Sequence, residues 1–430
     1  MIAPLIELAA RRTALADATL KTDETTTLRF TGGRLASAAA THGQGINLRV
    51  VAEGRMGFAG TTTEDAPALL EAALASAREG EAASLTLPRP SARTPRVVTH
   101  SVRAATASLT DLVAIGTMVR DRLAAERADL EILLERSLGS VRVANTRGVD
   151  AGYDVTLVTL AIEAARIRDG RRVVIRGRLS GVDLPALPDI EGLITRIHQR
   201  LAWAGRDAEV SRGRQLMGFL PSALPLLLLP VEQALLGKTV LLGNSPLGRR
   251  RGTRVFSELF TLRDDPLIDG RPGSRPVDDE GVPSRPVVLV QAGQIEAFLY
   301  DLETATRVGT PPTGHGRRST FAKPQPACTN VVVEPGSSSL EELLQAIGDG
   351  LLVEETRGTS MGNAVGGTFA QPTAVAWRVS RGEIQGLAQE VTIAGNAHDL
   401  LGRVVAVGQD PIWTGSRCAP ALVVEGASVF

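Results

Sequence analysis

The side chains that most often do chemistry are thinly spread along this 430-residue chain. Its five histidines are His42, His100, His198, His315 and His398, and no two lie within one helical turn of each other. Neither H-E-x-x-H nor C-x-x-C occurs, so three metal ligands would have to converge from distant segments, and hydrolysis with a metal held by this chain alone is disfavoured. Cys328 enters an apolar run and Cys418 precedes Ala419-Pro-Ala-Leu-Val-Val424. In both places a thiol reads as a small buried hydrophobe. No G-x-S-x-G elbow is present, and Ser360, within Gly358–Gly362, resembles a nucleophile turn only superficially. The glycine-rich stretches Gly43-Gln-Gly45 and 362–367 lack the strand–loop–helix spacing that aims backbone amides at phosphate, and read as turns.

Two polar clusters carry more. One is the acidic turn Asp278-Asp279-Glu280-Gly281; the other is Thr313-Gly-His315-Gly-Arg317-Arg318. Carboxylates and arginines so disposed form salt partners across a sheet end, or clamp the termini or backbone of an extended peptide. A solvated turn with a structural ion pair is the bland alternative. Arg249-Arg250-Arg251 reads as a solvated basic turn, because a nucleic-acid role needs a wider basic face.

The elements that position these groups follow from pattern. Ile2, Leu5, Ile6, Leu8 and Ala9 recur at helical spacing, which suggests an amphipathic first helix. Leu35–Ala59 reads as two extended segments around a Glu53-Gly54 turn. A helix over Thr63–Ala83 is expected, capped by Thr63 with Pro67 in its first turn. The prolines of Thr86–Val98 mark a linker. A helix over Leu109–Asp129 precedes strands at Leu130–Ser137, Val141–Asn145, Tyr153–Ala165 and Arg171–Leu179, and a helix over Ile190–Ala204 closes that unit. Beyond residue 214 the chain reads as strands and glycine turns, Thr253–Leu262 and Val287–Gln291 among them, with helices near Ser222–Leu236 and Leu340–Leu351. The class is therefore α+β: an N-terminal α/β portion of antiparallel strands and helices, then a large strand-rich C-terminal domain. The units are 1–95, 96–213 and 214–430.

Composition fits a folded chain without an obvious polyanionic partner. Lys+Arg and Asp+Glu balance at 47 each, hydrophobic residues make 43% and aromatics only 3%, which argues against nucleic acid and base-stacking platforms. The uncharged stretch Gln215–Val231 holds Pro221, Pro225 and Pro230 and reads as buried strand and helix rather than a membrane span. With no apolar leader at the N-terminus, the expected location is cytoplasmic.

Taken in order, the clusters resemble the TldD/PmbA family, long labelled modulators of DNA gyrase. The resemblance runs from His42–Val50 and Gly54–Gly60, through Asn145–Gly148 with Tyr153, and is densest after residue 264. There it takes in Asp264-Asp-Pro266, Asp278–Gly281, Thr313–Gly316, Thr329-Asn330, Gly367–Phe369, Ala394-Gly-Asn396 and Gly408–Asp410. In that family the TldD type carries a helical H-E-x-x-x-H and a later Cys that hold zinc, and the PmbA/TldE type lacks them. Where the motif should fall, this chain has Pro230-Val-Glu-Gln-Ala-Leu235 with no imidazole at either end, and proline and leucine cannot coordinate zinc. Cys418 lies too close to the final strand to match the family's cysteine.

The resemblance thus implies a non-catalytic PmbA/TldE-like subunit, with no cofactor of its own and zinc in a TldD-type partner. Together the two would enclose a cavity and cleave unfolded or modified peptides, this chain holding extended substrate. Asp278, Asp279, Glu280, His315, Arg317, Arg318 and Asn396 are the candidate peptide-binding or structural residues. Two alternatives stand beside it. One is a non-proteolytic regulator of gyrase or another protein; the other is a homodimeric hydrolase using His315 with Asp278–Glu280.

Overall fold

The structure is a computed structural model that describes residues 2–126, 128–168, 170–358 and 363–430; Ser360 and Gly362, weighed above, lie outside the described residues. Six antiparallel strands form the first sheet: β1 (Leu15–Thr31), β2 (Arg34–Ala52), β3 (Arg55–Thr61), β4 (Asp129–Asn145), β5 (Asp150–Arg168) and β6 (Arg171–Gly181). Their order is β3-β2-β1-β4-β5-β6. Because β1 pairs with β4 from Asp17↔Asn145 to Thr31↔Glu131, residues 15–61 and 129–181 share one continuous layer.

These strands are long, and at roughly 3.3 Å per residue a 17-residue strand such as β1 outreaches a single core. Apolar side chains accordingly gather at both ends. Ala16 and Ala18 pack with Ile46, Leu48 and Val50 under α1 (Ile2–Ala10) and α2 (Ala66–Arg78). Leu28 and Phe30 join a second core under the short α3 (Val102–Thr106), α4 (Leu109–Leu123) and α5 (Leu187–Trp203). Between the two cores the sheet is polar, with Thr22–Ser140 and Thr25–Ser137 hydroxyls meeting across β1 and β4 at 2.9 and 2.7 Å.

Two further sheets build the C-terminal half. One runs β11 (Gln294–Ile295), β10 (Val287–Gln291), β9 (Leu262–Asp264), β14 (Val331–Val333), β21 (Arg417–Ala419), β20 (Ile412–Thr414). The other runs β15 (Gly350–Thr356), β8 (Gly213–Phe219), β22 (Leu422–Val429), β18 (Thr392–Asn396), β16 (Thr368–Ser380), β17 (Glu383–Ala388), β7 (Asp207–Ala208), with β19 (Val404–Val407) beside β22. A two-stranded ribbon joins β12 (Gly316–Arg317) to β13 (Gln325–Pro326). The helix α6 (Pro225–Ala234) lies among both sheets, its Leu226, Leu227, Leu228 and Val231 packed with Phe219, Leu289, Val333 and Leu422. A helix apolar on most of its faces belongs inside a core, and α6 leaves only Glu232 and Gln233 to face a cavity. Short helices α7 (Gly237–Leu241), α8 (Leu302–Val308), α9 (Leu340–Ile347) and α10 (Ala397–Leu401) complete the order.

The fold is α+β, with an antiparallel sheet-and-helix N-terminal portion and a strand-rich C-terminal one. Local differences from the sequence reading have physical reasons. Asp65, not Thr63, caps α2, its carboxylate accepting from the Ala68 amide, and Pro67 sits in the first turn. The expected strands 130–137 and 141–145 are one strand, since pairing with β1 and β5 carries the backbone through Gly139. Thr253–Leu262 is not a strand: Arg254 makes an isolated bridge to Gln294, and regular pairing begins with Leu262–Asp264, as β9. The Glu53-Gly54, Ala292-Gly293 and Arg381-Gly382 turns all have positive φ at both residues, the backbone that closes a two-residue hairpin. Among the described residues no helix is long and apolar enough to cross a membrane.

Candidate functional site

The ribbon β12–β13 separates two charged places, and Arg317, which ends β12, and Arg318, just beyond it, face opposite ways, as adjacent residues of extended chain do. Arg318 turns inward to a buried network. Arg317 is exposed and lines a cavity beside α6.

The buried network ties the first sheet to the C-terminal loops. On β1 and β2, Asp17 grips Arg49 with two bonds of 2.8 Å, through Nε and Nη2. Arg49 Nη1 lies 2.8 Å from Glu280 Oε1, and Arg318 Nη2 also pairs with Asp17. Asp279 Oδ2 accepts from Lys21 Nζ at 2.5 Å and from the Arg318 amide at 2.8 Å, while Thr19 Oγ1 donates to the Asp279 carbonyl. Asp278 takes backbone amides from Glu280, Val282 and Gly316, so one carboxylate reinforces a turn that backbone bonds also close. The Leu302 amide at the start of α8 donates to Glu280 Oε2 at 2.8 Å.

Apart from Lys21, whose side chain is about a third exposed, these charged side chains are buried. Burial pushes Glu280 up to about 8 against the pull of Arg49, with Asp301 and Asp278 adding to the rise. Burial likewise raises Asp278 and draws the Arg318 guanidinium down to about 9. His315 is buried next door, Nε2 2.9 Å from Asp264 Oδ1 and Nδ1 3.0 Å from the Thr313 carbonyl. Asp264 also accepts from the Thr329 amide at 2.7 Å. Asn330 bridges the Gly273 amide, the Asp265 carbonyl and Ser274 Oγ. The residues Asp264, Asp278–Gly281, Thr313–Gly316 and Thr329-Asn330 are thus neighbours in space as well as recurring motifs in sequence. Asn396 lies apart: it caps α10 and donates to the Gly366 carbonyl at 2.7 Å.

The cavity on the other side of the ribbon measures about 400 Å³ and is walled by Glu232, Gln233, Lys238, Arg317, Cys328 and Arg417. Glu232 is the one acidic side chain of α6 and is 3% exposed. Arg417 on β21 closes on it with Nε–Oε1 and Nη2–Oε2 contacts of 2.6 Å, a two-bond fork. Burial raises the Cys328 thiol well above its ordinary value, and the nearby Glu232 and Asp264 carboxylates raise it further, so it stays protonated. Three cations against one carboxylate, already committed, give the cavity a positive surplus suited to carbonyl or carboxylate oxygens.

A metal does not fit these residues. The α6 carboxylate is bound by a guanidinium, the thiol is protonated, and no imidazole lines the cavity. Pro230, Val231 and Leu235 of the stretch compared with the zinc motif all point into the apolar core. Among the described residues no group of three His, Cys, Asp or Glu side chains is placed to hold an ion. The histidines are scattered: His42 sits by Glu24 at 3.9 Å, His198 by Glu126 at 3.6 Å, and His398 stacks on Phe256.

Sequence reasoning passed over Glu232, Arg417, Asp17 and Arg49. A signal for Glu232 was present, since one carboxylate inside a leucine-rich helix must find a buried partner. Asp17 and Arg49 carried none, because each sits alone in an otherwise ordinary strand.

Known proteins place this geometry. Residues 216–430 match the family model for the PmbA/TldA metallopeptidase C-terminal domain, and residues 16–78 match that for metallopeptidase domain 1. A metalloprotease of Methanocaldococcus jannaschii is 33% identical over 171 residues, 40% of this chain and 38% of that protein. A zinc metalloprotease TldD homolog of Saccharolobus solfataricus is 30% identical over 171 residues, 39% of this chain and 38% of that one. The chain thus spans well under half the length of these relatives. In fold it is similar to TldE from Thermococcus kodakarensis, with a TM-score of 0.88 at 23% identity over 99% of each chain. It is equally similar to a Thermotoga maritima protein described as a modulator of a DNA gyrase, with a TM-score of 0.89 at 22% identity over 100% of this chain and 99% of the other. With half the chain matched by one model and its N-terminal strands by a second, this chain belongs to the PmbA/TldD family.

Proposed function

We propose that this chain is a PmbA/TldE-type subunit that holds no metal, joins a TldD-type zinc metalloprotease subunit, and helps to present extended peptide to it. The observation that carries the reading is the Glu232–Arg417 fork. It lines the cavity beside α6, the helix on which the resemblance would set a metal motif, with an ion pair that leaves no carboxylate there to bind zinc. Hydrolysis then belongs to the partner, and the oxygens of a peptide would meet the cations Lys238 and Arg317 here.

A second feature supports the peptide-holding part. Residues 34–43 of β2 are exposed and, among the described residues, pair only with β1; β3 takes up the other edge only from Ile46 onward. An open strand edge hydrogen-bonds an extended chain through its backbone, with little regard to sequence. The side chains along it, Ala36, Ser37, Ala38, Ala39 and Ala40, are small enough to admit one.

The test is metal analysis with reconstitution. Purified alone, the chain carries no stoichiometric zinc and cleaves no unfolded peptide. Mixed with a TldD-type subunit from the same host it forms a complex whose cleavage stops on adding chelator. Stoichiometric zinc on the isolated chain, or chelator-sensitive cleavage by it alone, overturns the reading.

A further inference from the structure

A second cavity, of about 410 Å³, lies where α5 and the β5–β6 edge meet the C-terminal half at Leu220–Ser222, Glu354-Glu355 and β20. Its apolar wall is buried: Ile162, Leu193, Ile197 and Val375 are each 3% exposed or less. The indole of Trp413 lines it too and is fixed by the Arg271 guanidinium, which stacks on the ring at 4.5 Å.

Charge in this cavity does not balance. Four arginines line it, Arg176, Arg178, Arg196 and Arg200, against three carboxylates, Glu163, Glu354 and Glu355. Every carboxylate is taken. Arg176 bonds Glu163 at 2.7 Å and Glu355 at 2.9 Å. Arg200 bonds both oxygens of Glu354, which also accepts from Trp377 Nε1 at 2.7 Å. Arg178 reaches only the Ser180 hydroxyl, at 3.3 Å, and Arg196 has no ion-pair partner among the described residues. Arg196 stands one turn before Arg200 on α5, half-buried, and burial together with the Arg200 charge draws it below its ordinary value. Asp189 and Glu354 pull the other way, but neither pairs with Arg196 directly, which leaves a partly desolvated guanidinium beside a second cation without a bonded counter-charge.

We propose that this cavity binds a carboxylate-bearing apolar ligand. The carboxylate engages Arg196, with Arg178 at the rim, and the apolar body lies against Ile162, Leu193, Val375 and Trp413. The volume is at the lower end of the roughly 300–1,000 Å³ usual for small-molecule sites, which suits one short apolar tail rather than a large cofactor. Two sources offer this chemistry, the free C-terminus of an apolar peptide and an alkanoic acid. The site is independent of the protease-partner reading, because it is complete within this chain.

Calorimetric titration of the full chain alone tests it, with octanoate, octan-1-ol and octylamine as probes and the peptide Ala-Leu-Leu as free acid and as amide. Octanoate binds, the alcohol binds about tenfold more weakly, and the amine is rejected. R196Q and R178Q each weaken octanoate about tenfold, with unfolding midpoints near that of the parent chain, while R250Q leaves binding unchanged. Acid-specific binding of Ala-Leu-Leu assigns the site to peptide C-termini; octanoate bound without the peptide assigns it to alkanoic acids. The proposal fails if octanoate binds no better than octan-1-ol and free-acid Ala-Leu-Leu no better than its amide, or if R196Q and R178Q both bind the acid as the parent does.

Discussion

Arg318 and Arg417 do the same chemistry in two settings. The first lies in the buried network with Asp17, Arg49 and Glu280, where side chains from β1, β2 and two C-terminal loops converge with essentially no solvent access. The second closes on Glu232 at a cavity wall, with its side chain 27% exposed. In the first place every charge is used to lock one half of the chain to the other. In the second, Lys238 and Arg317 stand beside the closed pair with no carboxylate partner among the described residues, so a visiting oxygen can be received. Burial on all sides makes a charge cluster structural, and one open side leaves it able to bind.

Breaking the inner network is the hardest test of that contrast. Asp17→Asn leaves Arg49 and Arg318 facing a neutral amide inside the protein, which costs about 3–5 kcal/mol. Denaturant unfolding should show that loss, with the N-terminal sheet loosened from loop 278–281. A loss near that of a surface substitution would mean the network is not what joins the halves. Glu232→Gln at the cavity costs less, about 1–3 kcal/mol, because water can reach the freed Arg417. Replacing both partners, Glu232→Leu with Arg417→Leu, recovers most of it.

The pH dependence sharpens the same comparison. Glu280 titrates near 8 folded and near its ordinary 4.5 unfolded, so between those values the folded state keeps a proton that the unfolded state has lost. Stability is therefore unaffected by this group below about 4.5, falls as pH rises through the window, and levels off above about 8; Asp278, also raised by burial, adds to the slope. In Glu280→Gln the Glu280 share of the slope is absent. A stability curve unchanged by that substitution would place Glu280 in contact with water.

The smallest effect on stability comes at the open edge of β2. In an antiparallel ladder adjacent residues send their amides to opposite sides. Of Ala39→Pro and Ala40→Pro, one removes a bond to β1 and destabilises the sheet. The other alters the free edge alone, leaves unfolding almost unchanged, and lowers peptide cleavage in the reconstituted complex. If both leave cleavage intact, substrate is held elsewhere.

Much of the fold was legible. The hairpin at Glu53-Gly54 follows from turn chemistry, and the helical spacing of Ile2, Leu5, Ile6 and Ala9 laid out the buried face of α1. The candidate residues Asp278, Asp279, Glu280, His315 and Arg318 were legible as charged clusters, yet their partners were not. Asp279 is met by Lys21, 258 positions away, and Glu232 by Arg417, 185 positions away. No pattern in a strand such as β1 marks Asp17 as different from any exposed aspartate.

The sequence by itself settled what neighbouring residues settle: left-handed turn positions, strand alternation and the helical spacing of apolar residues, all governed by sterics and periodicity within a few residues. Tertiary structure decided which charges lost their water and whom they then met. The opposite fates of Arg317 and Arg318 show why. Alternation along a strand tells that two adjacent side chains must part, but only the packing of β12 between the first sheet and α6 decides which arginine is buried against Asp17 and which faces the cavity.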